Sequence, residues 1–475
     1  MHPRRRVRAR LDSRQPWLRR GKIRELADRP NVHRIGLWLF GVTSVVFMLS
    51  KVWDLADSNY SMLLSENLIH QHSSYLNSYK FPAPIQAVDR CASPTSPIPQ
   101  GFVTYQLDRV HGNVVYCYPN GTSILSIPFV ALMNAFGVHC SRPDGSYNFS
   151  GEWAIQRLLA ALLMAGFTVV VFHTAVQVLS VAPSLVVAVA TAFGTQVWST
   201  ASRVMWSHTW LVFLGGFVAY ILLGRETGRM KRPHPIALAT LVSWMYFARP
   251  TGAIPVLCVT IYVFAFWRSD FIAYALTGLT WFAGFVCYSC FTFGKLIPDY
   301  YLDSRTDPGN LKNLPAVLFS PSRGLFVFIP MFAFVLYLVV RYWGLLKYKR
   351  LGVLALSMVI LQILMVSLWP IWWGGSSYGP RLIADALPWM ALLAILGLAA
   401  RATDTGRVML GKTETAIALV LILLSVVING RGALSFAPSY WNRDFDIDRH
   451  PERLKDWSNP QFMAGLIPTP DSGPP

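Results

Sequence analysis

Apolar residues in this chain arrive in long runs, and the charges gather in the joints between them. A soluble domain mixes the two every few residues, because each helix or strand keeps one face toward water. Here 53% of 475 residues are hydrophobic and only 14% are charged, and many runs approach the ~20 residues a membrane-crossing helix needs. The pattern is that of a polytopic membrane protein. A net charge of +18 would suit a nucleic-acid binder among soluble proteins, yet 12 of the 42 Lys and Arg precede residue 35 and most others border apolar runs. A positive-inside bias accounts for that placement, and nucleic acid is not an expected partner. The six cysteines show no metal or redox spacing. Cys258, Cys287 and Cys290 lie in apolar runs, and Cys91, Cys117 and Cys140 in the first large loop, where one disulfide or a set of free thiols fits equally.

Residues 1–34 form a basic tail, too charged to bury a core and expected on the cytoplasmic side. The apolar run 35–53 follows as the first transmembrane helix, with no small-residue cleavage site behind it, so it reads as a signal anchor. Residues 54–152 are mixed, and Pro82, Pro84, Pro94, Pro97 and Pro99 make their middle extended. Inside them, 122–138 is apolar but short, and it contains Pro128 and Asn134. If it crossed the bilayer, the later basic joints would fall on the side opposite the basic N-terminus. It is therefore read as an interfacial helix, which makes 54–152 one extracytoplasmic loop.

Ten further spans are expected within 153–429: 153–179, 182–200, 206–223, 235–248, 252–267, 271–293, 324–340, 351–369, 382–400 and 413–429. The joints 225–234, 341–350 and 401–412 carry the clustered Lys and Arg and face the cytoplasm. The stretch 235–267 is tight for two spans, so both helices are short or Arg249 and Pro250 mark a turn sunk into the membrane. Residues 430–475 form a short extracytoplasmic tail that must pack on the other outer loops. The expected fold is thus an all-α polytopic membrane protein of about eleven transmembrane helices with a large first extracytoplasmic loop.

On this topology polar chemistry collects on the outer face. The stretch WDLADSNY, Trp53 to Tyr60, places Asp54 and Asp57 where the first span leaves the membrane. Arg203 and His208, the turn ARPTG with Arg249, the segment ending at Arg323, and WPIWWGGSSYGPR ending at Arg381 join them. Six stretches together, DSNYSMLLSENLI (57–69), HGNVVYCYPNGTSILSIPFVAL (111–132), STASRVMWSHTW (199–210), ARPTG (248–252), LFSPSRGLFVFIP (318–330) and WWGGSSYGPRLIADALP (372–388), resemble the GT-C superfamily of membrane glycosyltransferases. The chain is most similar to its polyprenyl-phosphate-sugar-dependent branch, related to protein mannosyltransferases and the lipid A aminoarabinose transferase. The subgroup is bacterial, which implies the inner (plasma) membrane with the active site extracytoplasmic.

The resemblance implies that the acid opening the first outer loop is the catalytic base, with Asp57 the better match and Asp54 its competitor. The carboxylate would take a proton from an acceptor hydroxyl as that oxygen attacks the anomeric carbon and a lipid phosphate leaves, with inversion. The plainer reading is that both acids cap a helix or solvate a loop. A leaving phosphate suits a bidentate guanidinium, and Arg381, Arg249, Arg203 and Arg323 all sit at outer boundaries. Arg381 leads because Gly374, Gly375 and Gly379 permit close backbone approach, although any of the four arginines equally fits pairing with an acid or a headgroup.

His208 stands where related transferases carry an acid, so a second acid would have to be Glu66 or Asp108, and a structural histidine is the commoner use. The family's proline motif appears as YPNG (118–121) without its lysine. Trp372, Trp373 and Tyr378 offer rings for stacking a sugar, or for the aromatic belt at the interface. No metal site is expected: no DxD follows the first span, and Asp446 and Asp448 read as solvated tail, although a divalent cation stays an open alternative. The expected partners are a polyprenyl-phosphate-linked sugar, membrane lipids, and a glycan, lipid or protein acceptor. A polysaccharide polymerase or ligase, or a transporter with discontinuous helices, are the competing classes.

Overall fold

The computed structural model describes residues 30–53, 57–86, 104–230, 234–302, 311–444 and 446–467, and these are mostly helical. The longer helices are α1 (Pro30–Leu49), α2 (Ser61–His70), α3 (Gly121–Ala135), α4 (Phe149–Ala175), α5 (Val181–Phe193), α6 (Ser207–Glu226), α7 (Pro235–Ala248), α8 (Ala253–Phe266), α9 (Arg268–Phe293), α10 (Met331–Arg341), α11 (Lys349–Ser367), α12 (Leu387–Ala399), α13 (Lys412–Leu434) and α14 (Ala437–Asp444). Among the described residues, seven segments are long and apolar enough to cross a membrane: α1, α4, α6, α9, α11, α13, and α12 with the 3-10 turn Arg381–Ala386 that leads into it. Five shorter apolar helices accompany them, α3, α5, α7, α10, and α8 with the turn before it.

Each of the ten runs expected after the first is therefore helical, but four stop short, for local reasons. α5 ends at Phe193, and the chain continues through a π-helical turn, Val197–Ala201, that displaces the axis. α7 and α8 have 14 residues each, because Pro250 cannot continue the helix that ends at Ala248. Pro330 splits the run 324–340 into one turn, Leu325–Phe328, and α10. α12 is almost wholly buried, whereas Leu276, Leu279, Phe282 and Phe291 of α9 and Leu419, Val420 and Leu423 of α13 point outward. In water such a rim would drive aggregation; against lipid tails it is the ordinary state of an outer helix.

The first loop departs from the all-α expectation. It carries a three-stranded sheet, ordered β1 (Ile85–Gln86), β2 (Thr104–Val110), β3 (Asn113–Tyr116), with β1 parallel and β3 antiparallel to β2. His111 at φ 50° and Gly112 at φ 80° form the two-residue turn, since positive φ at both positions matches the right-handed twist of the hairpin. Cys117, just past β3, is in a disulfide, while Cys140, Cys258, Cys287 and Cys290 are free thiols. The segment read as an interfacial helix is α3, with Pro128 inside it, and it packs on α2. Its first residue meets the end of α7 so closely that a Cβ on Gly121 would lie 2.3 Å from the Phe247 carbonyl.

At the other end of the chain α13 runs on to Leu434, so the tail begins at residue 435 rather than 430. The tail packs on itself and on the loop before Arg381. The Trp441 indole is buried and donates to the Asn459 carbonyl at 3.1 Å, and Asn442 donates to the Ser377 carbonyl at 3.0 Å.

Candidate functional site

Asp57 opens a tight turn that leads into α2. A helix start leaves backbone N–H groups without partners, and here a carboxylate from another helix takes them. Glu152, in the first turn of α4, accepts from the N–H of Tyr60 at 3.0 Å and of Met62 at 2.8 Å. Gln156, one turn further along α4, donates to the Ser58 carbonyl at 2.7 Å. Tyr60 itself sits in the left-handed region, at φ 69°, so the turn is held in a conformation it would not keep alone.

Held this way, the Asp57 side chain stands about one-third exposed, at 32%. Its Oδ1 accepts the phenol hydroxyls of Tyr105 and Tyr118, each at 3.3 Å, and its Oδ2 faces Arg381 Nη1 at 3.3 Å. The Tyr116 hydroxyl donates to the backbone carbonyl of Asp57 at 2.8 Å. Burial first, and Asp57 among the nearby charges, push the Tyr118 and Tyr116 phenols well above their ordinary range, so both remain donors at neutral pH.

Arg381 begins the 3-10 turn before α12, and its guanidinium lies 4.1 Å over the Trp206 ring. Trp206 stacks in turn on His208, with centroids 6.1 Å apart and planes 13° from parallel. His208 is wholly buried, neither ring nitrogen has a hydrogen-bond partner among the described residues, and Arg249 and Arg381 are both within electrostatic reach. Arg249 follows α7; it donates from Nε to Asp385 Oδ2 at 2.9 Å and from Nη1 to Ser207 Oγ at 2.6 Å. Asp385 also accepts from Thr251 at 2.7 Å and Gln362 at 3.3 Å. Arg381 and Asp385 thus stand four residues apart on one turn, each paired with an opposite charge from elsewhere, with Trp206 and His208 between.

Of the four arginines expected to hold phosphate, the structure brings Arg381 and Arg249 together and gives the other two different work. Arg203, 3% exposed, donates to the carbonyls of Phe47 at 2.5 Å and Ser50 at 3.1 Å, and Arg157 adds bonds to Met48 and Ser50. These are the orphan carbonyls at the C-terminus of α1, where a cation also suits the helix dipole. Burial, then Arg157, lowers Arg203 to about 9. It is a helix cap. Arg323 is spent on Trp373 O at 3.2 Å, Ser322 O at 2.7 Å, Gly375 O at 3.3 Å, Asn442 Oδ1 at 2.9 Å and Gln461 Oε1, which leaves no N–H for a phosphate. It ties the WWGG loop to the tail.

The aromatic residues expected to stack on a sugar have polar or packing partners within the chain. The Trp373 indole donates to Asp448 Oδ1 at 2.7 Å, Trp372 is buried edge-to-face against it, and the Tyr378 hydroxyl donates to the Ile428 carbonyl at 2.6 Å. Gly374, Gly375 and Gly379 all have positive φ and turn the loop that starts Arg381, with Gly379 against the Phe328 ring rather than open to a ligand. Glu66 is fixed to the N–H groups of Cys140 at 2.7 Å and Ser141 at 3.1 Å, and Asp108 is buried on β2, so the second acid of the cluster is Asp385. Asp385 lies in the ADALP stretch, where nothing local distinguishes it from a helix-start aspartate. Asp54 falls outside the described residues. Among the described residues no three His, Cys, Asp or Glu side chains converge to hold a metal ion, and Asp446 pairs with Arg449 at 3.0 Å.

A recess of about 690 Å³ lies in the first loop, lined by Asn77, Tyr79, Ile85 and Arg109 among others, and not at this cluster. The fold and site define a mostly helical protein with, among the described residues, seven helices fit to cross a membrane and a cluster of paired charges set among helix ends. The sequence matches no protein-family profile, no curated protein and no solved structure.

Proposed function

We propose that the protein is an integral membrane glycosyltransferase that moves a sugar from a polyprenyl-phosphate donor to an acceptor hydroxyl on the extracytoplasmic side, with inversion. The observation that carries this reading is the partly exposed Asp57 carboxylate facing the Arg381 guanidinium, at a point where helix ends meet. In this reading α1, α4 to α9, α10, α11, α12 and α13 make eleven spans, the N-terminus is cytoplasmic, and α3 lies along the interface.

Donor phosphate oxygens compete with Asp57 for Arg381. That contact, at 3.3 Å and part-exposed, is easier to exchange than the buried Arg249–Asp385 pair at 2.9 Å. Asp57 Oδ2, freed of the guanidinium, accepts the proton of the attacking hydroxyl. The new C–O bond forms at the anomeric carbon as the bond to the phosphate oxygen breaks, and that oxygen keeps the electron pair. Arg381, with Arg249 beside it, stabilises the charge gathering on the phosphate. His208 backs the Trp206 ring on which the Arg381 guanidinium rests.

The test is transfer of radiolabelled sugar from polyprenyl-phosphate donors into a membrane extract by the purified protein. Asp57→Asn should lower the rate by about 10²- to 10⁴-fold with donor binding kept. Transfer at the wild-type rate in this variant removes the base; no transfer by well-folded wild-type protein from any donor removes the enzyme class and favours a transporter.

A further inference from the structure

We infer that Tyr118 and Tyr105 are positioning residues that hold the Asp57 carboxylate in a single orientation, with Oδ1 saturated and Oδ2 left as its one working oxygen. The inference rests on the proposed role of Asp57 and adds residues that no sequence signal assigns to it. A carboxylate near the protein surface turns readily about its last torsion, since that well is broad. Here two phenol hydroxyls meet the same oxygen at 3.3 Å each, while the other oxygen faces a guanidinium. A third phenol, that of Tyr116, fixes the backbone carbonyl of the same residue.

The small sheet explains how these groups come together. Leu107 pairs with Tyr116 in the β2–β3 ladder, and the Cys117 N–H donates to the Gln106 carbonyl at 3.0 Å. Carrying that register one step further sets Tyr105 opposite Tyr118. A directly opposed cross-strand pair projects to one face, so both hydroxyls reach one atom. Tyr118 is confined on either side: Cys117 is in a disulfide, and two residues past Pro119 the start of α3 is wedged against Phe247. Its ring also contacts Tyr116 and Tyr300, with centroids 5.8 and 5.2 Å away. A hairpin with a two-residue turn, followed by a disulfide-bonded cysteine and ending on an aromatic cluster, is a rigid mount for two hydroxyl groups.

The experiment uses the full-length protein in lipid nanodiscs and synthetic polyprenyl-phosphate hexoses and pentoses, with a membrane lipid extract as acceptor, and follows release of polyprenyl phosphate. Tyr118→Phe, Tyr105→Phe and the pair keep the rings and remove only the hydroxyls; each is made in the wild-type and the Asp57→Asn background, and each melting temperature is recorded. Positioning predicts a fall in kcat of about tenfold per hydroxyl, an unchanged donor KM and melting temperature, and no further loss on Asp57→Asn. Equal losses in both backgrounds, or losses that follow the melting temperature, would overturn it. Full activity in the Phe variants beside an active wild type removes the positioning role alone. If the wild type releases nothing from any donor, the transferase reading falls and this pair has no base to position.

Discussion

Arg381 is the residue whose substitution says most about the site. Arg381→Lys keeps the charge but loses the planar fork and the stacking on Trp206, so donor KM should rise about tenfold, with a smaller change in kcat, in the polyprenyl-phosphate assay. Equal KM in both proteins would mean that the phosphate is held elsewhere. At this scale the sequence showed the right chemical types and could not sort them. Arg203 and Arg381 look alike in sequence, each an arginine next to an apolar run. One meets the carbonyls of Phe47 and Ser50, about 150 residues earlier, and the other meets Asp57. Which acceptor an arginine finds is a long-range fact, so local pattern leaves it open.

Two elements have ends that the fold completes from a distance. Replacing Arg203 by Met leaves the C-terminal carbonyls of α1 short of donors in a buried place, and about 2–3 kcal/mol of stability should go, read as a lower melting temperature in detergent. Gly121→Ala puts a Cβ against the Phe247 carbonyl and should destabilise by about 1–3 kcal/mol unless α3 shifts, with the same measurement as readout. Neither effect is visible in the helices taken alone. The sequence gives Arg203 no partner and makes Gly121 a plain turn residue. The hairpin is hard to read locally because its strands are short, β2 carries Asp108 and Arg109, and the turn is His-Gly rather than the commoner Asn-Gly.

For the whole molecule the testable quantity is sidedness. In a background with Cys140, Cys258, Cys287 and Cys290 replaced by Ala, cysteines placed at Asp144, in the exposed first loop, and at Asp404, in the exposed joint before α13, should react with a membrane-impermeant thiol reagent from opposite sides. In intact cells only the Asp144→Cys protein should label, and both should label in inverted vesicles that have been permeabilised. Labelling of both from outside would break the eleven-span arrangement, most directly at the short pair α7 and α8.

The sequence by itself determined the helices and their surroundings. Most of the long apolar runs appear as helices within a few residues of the expected bounds, while 182–200 and 324–340 are broken by a π-helical turn and by Pro330; hydrogen-bond demand inside a membrane leaves the backbone few other options. It also marked Asp57, Arg249, Arg381 and His208, since ionisable groups beside apolar runs are rare and must find partners. Tertiary structure alone decided which of these groups face one another. It turned Arg203 and Arg323 into internal ties, closed Trp372 and Tyr378 into packing, bonded Trp373 to Asp448, and brought Asp385, Tyr105 and Tyr118 to the cluster. The physical reason is reach. Apolar burial is set along each run, whereas a charge or a phenol is specified only by the atom it meets, and that atom comes from another part of the chain.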